Sequence, residues 1–314
     1  MSEEIVVLIA GIPGAMGIAV AESCLARGVR LAPFALAGPT RSGTVDIAGG
    51  AAAGGATVQL LPAHGEEAAK SIEALQLECA AAQPRRVLIA VDYSHPSAVN
   101  ANGELFARLS IPFVMGTTGG DRDALTEVAI RAGEASVGQA GDSGGVFKAV
   151  IAANMCKQIV ALQATMQHMA THFPGAFGGY TLSITESHQS TKADTSGTAK
   201  DMIRHFNALV GDASSPAFAV EDVKKLRDAE QQRAFGVPEA ALKGHAYHTY
   251  ALKSADGSVG FEFQHNVQGR RTYADGTVDA VVFLAARCTE AAGAGAEVQH
   301  VYDMIDVLRA GAMS

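Results

Sequence analysis

Positive charge, paired cysteines and long apolar runs are all scarce in this chain, and each shortage closes off a class of function. Lysine and arginine number 24 against 32 aspartates and glutamates, a formal net charge of −8 at pH 7. No basic footprint is left for nucleic acid or an anionic membrane surface. No apolar stretch approaches the ~20 residues a spanning helix needs. The first apolar run, Ile5 to Ala10, follows two glutamates and enters a glycine turn directly, so no signal or transit peptide is expected in the sequence as given. Only four cysteines occur (Cys24, Cys79, Cys156, Cys288), far apart and without a C-x-x-C pair. They read as buried thiols of a reducing compartment. The ten histidines include no H-E-x-x-H. His168 and His172 have helical metal-ligand spacing, but no carboxylate or cysteine stands beside them, so no metal is expected.

What is present suits a soluble two-domain protein: 314 residues, 48% hydrophobic and 18% charged. Residues 5–10 read as a strand buried on both faces. Further strands are expected at about 31–37, 58–61, 87–91, 111–115 and 135–139, with helical patterns between some of them and a Gly/Ala-rich loop over 38–56. That alternation predicts an α/β doubly wound parallel sheet. Beyond about residue 150 the pattern changes. Met155, Ile159, Leu162, Met166 and Met169 make one helix stripe, 180–185 a strand, and Ser196 to Val210 a helix. Val259 to Val267 alternate as a strand, followed by a turn at 273–276 and a last strand at 278–285. The expectation is a nucleotide domain over 1–152, completed by a C-terminal helix over 292–314, and a smaller α+β domain with an open mixed sheet over 153–291. Residues 211–240 read as a polar surface excursion.

Gly11, Gly14 and Gly17 lie between a buried strand and a helix, the context of a dinucleotide fingerprint. With Ala15 and Met16 they would offer backbone N–H groups and a helix N-terminus to a pyrophosphate. The spacing differs by one residue from G-x-G-x-x-G, and an ordinary αβ turn stays open on these residues alone. After the second strand there is no acidic residue for a ribose; Arg41 and Ser42 stand there instead. Arginine beside hydroxyls favours a 2′-phosphate, hence NADPH, with NADH possible and a solvated arginine as the bland alternative.

The richest stretch runs from Glu186 to Lys200 (ESHQSTKADTSGTAK). Leu182, Ile184, Glu186 and His188 share one strand face. Ser196 can cap the next helix, so Ser196, Gly197 and Thr198 form an anion cradle, with the cation of Lys192 nearby. His188 can carry a proton near neutral pH. A carboxylate substrate fits this set, as does an ordinary capped helix behind a polar loop.

This run resembles the dihydrodipicolinate reductase motif, roughly E-x-H-H-x-x-K-x-D-(A-P)-S-G-T-A. The resemblance extends along the chain: Asp92 to Pro96 (DYSHP), Gly116 to Gly119 (GTTG), Ala152 to Met155 (AANM), the segment His265 to Gly276 with Arg270, and the tail Tyr302 to Leu308. Two departures, Gln189 for the second histidine and Asp194-Thr195-Ser196 without proline, resemble the plant-type branch. Gln189 can hydrogen-bond but cannot carry a proton.

The resemblance implies reduction of 4-hydroxy-tetrahydrodipicolinate, or its dehydrated form, to tetrahydrodipicolinate in lysine biosynthesis. It assigns His188 as acid and Lys192 as partner of a substrate carboxylate. Gln189, Ser196, Gly197, Thr198 and Thr118 would bind substrate. The coenzyme would meet the glycine turn, Arg41, Ser42, Tyr93, Ser94, Gly116, Thr117, Thr118, Asn154, Met155 and Arg270. The site would assemble on domain closure, with hinges near 150–155 and before the last helix. A homo-oligomer, in a bacterial-type cytoplasm or a plastid stroma, is expected. Two other readings remain. One is a semialdehyde or homoserine dehydrogenase, whose phosphorylating form would need Cys156 as nucleophile. The other is a non-catalytic NADP sensor.

Overall fold

The computed structural model describes residues 4–49, 54–137, 146–211, 217–290 and 298–311. Contacts divide the chain into two compact units, 1–157 with 273–314, and 158–272.

The first unit opens with β1 (Glu4–Ala10), α1 (Ala15–Ala26), β2 (Arg30–Leu31), β3 (Phe34–Ala37), β4 (Gly43–Ile47) and β5 (Ala56–Pro62). It continues with α2 (Glu66–Ala81), β6 (Arg86–Asp92), α3 (Val99–Arg108), β7 (Phe113–Met115), α4 (Arg122–Val137) and β8 (Ala149–Ile151). Helix α5 (Lys157–His172) leads into the second unit, which also holds β9 (Thr181–His188), α6 (Gly197–Val210), β10 (Lys224–Leu226), α7 (Ala229–Ala234), β11 (His245–Lys253) and β12 (Gly260–Gln268). Helix α8 (Arg271–Thr289), β13 (Val301–Tyr302) and α9 (Met304–Arg309) return the chain to the first unit.

The first sheet runs β13-β8-β7-β6-β1-β3-β5-β4, with β2 also paired to β1. Every pairing is parallel except β4 with β5. The near-continuous apolar runs of β1 and β6, buried residue after residue, are what a sheet covered on both faces requires. Strand order reverses between β1 and β6, the switch point at which such sheets bind ligands. The second sheet is mixed, β10-β9-β11-β12, with β10 parallel to β9 and the other pairs antiparallel. Leu182, Ile184, Tyr250 and Leu252 of this sheet pack against Met166 and Ala170 of α5 and Met202, Phe206 and Leu209 of α6.

Five expectations are corrected. The strand expected at 278–285 and the turn before it belong to α8, which is buried on nearly all sides. An apolar run with no polar face reads the same in a buried strand and a buried helix, and its length decides for helix. That helix lies in the first unit, so the second ends near Thr272 rather than 291. The strand expected at 135–139 is the end of α4 as far as Val137, where Leu125, Ala129 and Gly133 supply a buried helical stripe; residues 138 and 139 lie outside the described residues. The Gly/Ala-rich loop contains β4, and the excursion at 211–240 contributes β10 to the second sheet.

Candidate active site

In the first unit the glycine turn is shaped by crowding. Gly11 has φ 114° and donates its N–H to the Leu36 carbonyl at 2.9 Å, tying the turn to β3. A Cβ at Gly11 would lie 2.3 Å from the Tyr93 carbonyl oxygen, and one at Gly14 2.6 Å from the Gly11 oxygen. Only glycine allows these approaches. Pro13, Gly14 and Ala15 are exposed, and α1 has no acidic residue in its first turn and no side-chain cap. Its N-terminus is therefore open to an anion. Arg41 and Ser42 are also exposed, in the turn after β3, one strand over from the glycine turn.

Across the switch point, buried Asp92 organises the loops after β6 and β7. Its carboxylate accepts from the Ser94 N–H (2.9 Å) and hydroxyl (2.8 Å), the Thr117 hydroxyl (2.6 Å) and the Asn102 amide (2.6 Å). The hydroxyls of Ser94 and Thr117 thus turn inward, whereas Thr118 is exposed. The Tyr93 hydroxyl bonds Thr277 at 2.7 Å, and its ring fills the space beside Gly116, where a Cβ would be 2.4 Å from Cζ. Asn154 accepts the Cys156 N–H at 2.8 Å and sets up α5, leaving Cys156 as a buried thiol rather than a presented nucleophile. Met155 is buried against Gly276 of α8.

In the second unit β9 carries Glu186 and His188 inward, both buried. The chain then turns through Lys192 to Ser196, the N-cap of α6, whose Oγ accepts the Ala199 N–H at 3.0 Å. Ser196 has further partners: its N–H donates to Glu186 Oε2 at 3.0 Å and its Oγ lies 2.8 Å from His248 Nε2. Next in the chain, Gly197 is exposed and Thr198 half-buried at the start of α6. Lys192, with its side chain 23% exposed, pairs with the exposed Asp194 carboxylate at 2.8 Å. Gln189 faces a recess of ≈ 250 Å³ with Arg227, Gln232 and Lys243, separate from the His188–His248 contact. Arg270 lies in the second unit near Gly244, where a Cβ would be 3.7 Å from its Nη1.

The sequence reading assigned no role to three residues that order this loop. Arg227 donates from Nε to the Lys192 carbonyl (2.6 Å), from Nη2 to the Asp194 carbonyl (3.2 Å), and also from Nη2 to Glu186 Oε1. Gln232 Nε2 donates to the His188 carbonyl at 2.7 Å. His248 lies beside His188, the two Nε2 atoms 3.3 Å apart. Burial alone would raise the Glu186 pKa, but the adjacent His248 ring and hydrogen bonds from the Ser196 N–H and Arg227 hold it far below the ordinary carboxylate range. Burial and neighbouring His248 push His188 down to about 3. Glu186, His188 and His248 offer ligand atoms within 4.8 Å of one another, yet Arg227 already matches the Glu186 charge, so the trio is balanced without a cation. His168 and His172 stack at 4.0 Å, and His172 Nδ1 bonds the His168 carbonyl.

The family model described as "Dihydrodipicolinate reductase, N-terminus" matches residues 5–155, and "Dihydrodipicolinate reductase, C-terminus" matches 158–308. The chain is 41% identical over 309 residues to 4-hydroxy-tetrahydrodipicolinate reductase 1, chloroplastic, of Arabidopsis thaliana, covering 98% of this chain and 78% of that protein. It is 42% identical over 310 residues to a probable 4-hydroxy-tetrahydrodipicolinate reductase 1, chloroplastic, of Oryza sativa subsp. japonica, covering 98% and 79%. A dipicolinate-bound dihydrodipicolinate reductase from Paenisporosarcina sp. TG-14 shares the fold, with a TM-score of 0.56 at 15% identity over 96% of this chain and 98% of that one. Both halves of the chain, and nearly its full length, place it in the dihydrodipicolinate reductase family.

Proposed function

We propose that this chain reduces 4-hydroxy-tetrahydrodipicolinate, through its dehydrated form, to tetrahydrodipicolinate in the lysine pathway. It is an NAD(P)-dependent oxidoreductase, and we assign NADPH as the preferred coenzyme. The observation that carries the substrate assignment is the run from β9 to α6: His188, Lys192 and the start of α6 on one short turn, braced by Arg227.

The glycine turn fits a dinucleotide because its Cβ-free surface and uncapped helix start leave backbone N–H groups for a pyrophosphate. Arg41 and Ser42 would hold the 2′-phosphate, and the 116–118 loop the nicotinamide end. Tyr93, Ser94 and Asn154, whose polar side-chain atoms already have partners, and buried Met155 would support that surface through the backbone. Arg270 is a further candidate for holding the coenzyme. When bound, the coenzyme supplies a hydride to the conjugated ring.

Lys192 would exchange Asp194 for a substrate carboxylate, and Gly197 and Thr198 would hold a carboxylate by N–H and hydroxyl bonds. Gln189 would bind from the loop's other side. His188 would then protonate the ring carbon next to the one that accepts hydride. Its lowered pKa leaves it neutral in the free protein near pH 7. A dianionic substrate brings the counter-charge that favours its protonated form, so the acid would be armed by binding.

Exposed Val259 (41%) and Phe261 (45%), at and just before β12, support self-association across that sheet edge. No described helix is long and apolar enough to cross a membrane. The two plant relatives are named chloroplastic, which supports a plastid stroma.

A coupled assay tests the reading. Fresh dihydrodipicolinate synthase product is supplied, and coenzyme absorbance is followed with NADPH and NADH separately. Oxidation that depends on the product, faster with NADPH, is the expected result. Coenzyme binding without oxidation would overturn the substrate assignment.

A further inference from the structure

Strand register, rather than sequence neighbourhood, surrounds the His188 ring. In the β9–β11 ladder His248 stands directly opposite Glu186, and in the β11–β12 ladder it stands opposite His265. Residues opposed in this way project to one face, so Glu186, His248 and His265 form a row across three strands, with His188 two residues along β9 on the same side. The His248 ring is clasped: it stacks on His265 (4.6 Å, 27°) and Tyr250 (6.2 Å, 6°), and meets His188 edge-on (5.0 Å, 74°).

Among the described residues, all the polar contacts of this ring are made by one atom. Its Nε2 lies 2.8 Å from Ser196 Oγ, 3.3 Å from His188 Nε2 and 3.7 Å from Glu186 Oε2, while its Nδ1 is buried without a partner. Two facing Nε2 atoms at 3.3 Å hold one hydrogen between them, so one ring donates and the other accepts. Which ring donates fixes which nitrogen of neutral His188 carries its proton.

Building on the assignment of His188 as the ring-protonating acid, we infer that His248 is a positioning residue for the reaction: it sets the tautomer and orientation of His188 through the Nε2–Nε2 hydrogen bond. The groups facing the pair are Glu186 from β9, Lys192 from the loop, Arg227 after β10, Tyr250 from β11 and His265 from β12. Glu186 and Arg227 neutralise each other, so neither leaves an unmatched charge beside the two rings. The competing role for His248 is to hold Ser196, and with it the start of α6. That role would affect stability and substrate KM rather than the titration of the acid.

The test uses the full-length enzyme with its coenzyme and compares wild type, His248→Gln, His248→Phe and His188→Gln. The Phe variant is expected to lose about tenfold or more in kcat, within the range a general acid supplies. Both KM values should stay within about twofold, and the acid limb of the kcat–pH profile should move. The Gln variant, which keeps a hydrogen-bonding group near the Nε2 position, should recover part of kcat. Wild-type kcat with an unchanged acid limb in the Phe variant, while His188→Gln is inactive, overturns the role of His248 alone. An active His188→Gln enzyme overturns the assignment of His188 itself, and the role of His248 with it. Should the Phe variant not fold, ¹⁵N-histidine spectra of the wild-type chain decide: one Nε2 protonated and the other bare is expected, and both alike refutes the shared bond.

Discussion

At the scale of single residues, Lys192 is held by an exposed carboxylate, Asp194, rather than a buried one. An exposed pair contributes at most about 1 kcal/mol, so exchanging it for a substrate carboxylate costs little. Lys192→Ala is expected to lower kcat/KM for the dicarboxylate by roughly ten- to a hundredfold, the equivalent of one charge-assisted hydrogen bond. Coenzyme affinity should be unchanged. Steady-state kinetics with each substrate varied in turn checks this; a coenzyme KM that rises in step would refute it. His188, Lys192, Gly197 and the three glycines of the turn were legible in sequence because their chemistry depends on short-range spacing. His248 and Arg227 were not, since each reaches the site through strand pairing with residues some forty to sixty positions away.

At the scale of elements, α8 shows where local pattern fails and what replaces it. The apolar stretch from Val278 to Ala285 has no polar face, so neither helical nor strand periodicity can be read from it. Tertiary contacts define this helix. Asp279, 1% exposed, pairs with Arg27 at 2.9 Å and Lys157 at 3.0 Å, and Asp275 accepts the Ser23 hydroxyl. Gly276 supplies a prediction in which two effects have opposite signs. Helix propensity alone makes Gly→Ala favourable by about 1 kcal/mol. A Cβ there, however, would lie 1.8 Å from the Met155 carbonyl oxygen, and backbone cannot yield cheaply. Overpacking of this kind costs about 1–3 kcal/mol or more, so Gly276→Ala should destabilise the protein, as read by urea unfolding. An increase in stability would show that the close approach is not kept in solution. The β4 and β10 strands escaped notice for another reason: they are short, and their polar residues suit sheet edges.

At the scale of the whole molecule, the buried histidine row makes stability depend on pH. His188 and His265 are each lowered to about 3, both chiefly by burial and then by His248, from an ordinary 6.5. Between those limits the unfolded chain binds more protons than the folded one, so acid favours unfolding. Stability should be full above about pH 6.5 and fall toward pH 3, at up to about 1.4 kcal/mol per pH unit for each ring. Glu186, held low, adds to the loss below its ordinary 4.5. Urea midpoints at pH 7, 5.5 and 4.5 should decline in that order, and His265→Gln should flatten the decline; a flat wild-type series would contradict the burial of these rings as neutral groups. The order of the chain has a consequence for synthesis. The first unit is assembled from both ends: β13 pairs with β8 only once residues 301–302 exist, and α8 supplies the partner of Arg27. Residues 158–272 form a continuous unit whose first and last residues already touch, Thr272 Oγ1 to Gln158 Oε1 at 3.3 Å. On the ribosome the later-encoded unit can therefore be complete while the earlier one still lacks an edge strand and two helices, reversing the usual N-terminal-first order of domain folding. The half-built nucleotide sheet would then be the species most in need of a chaperone.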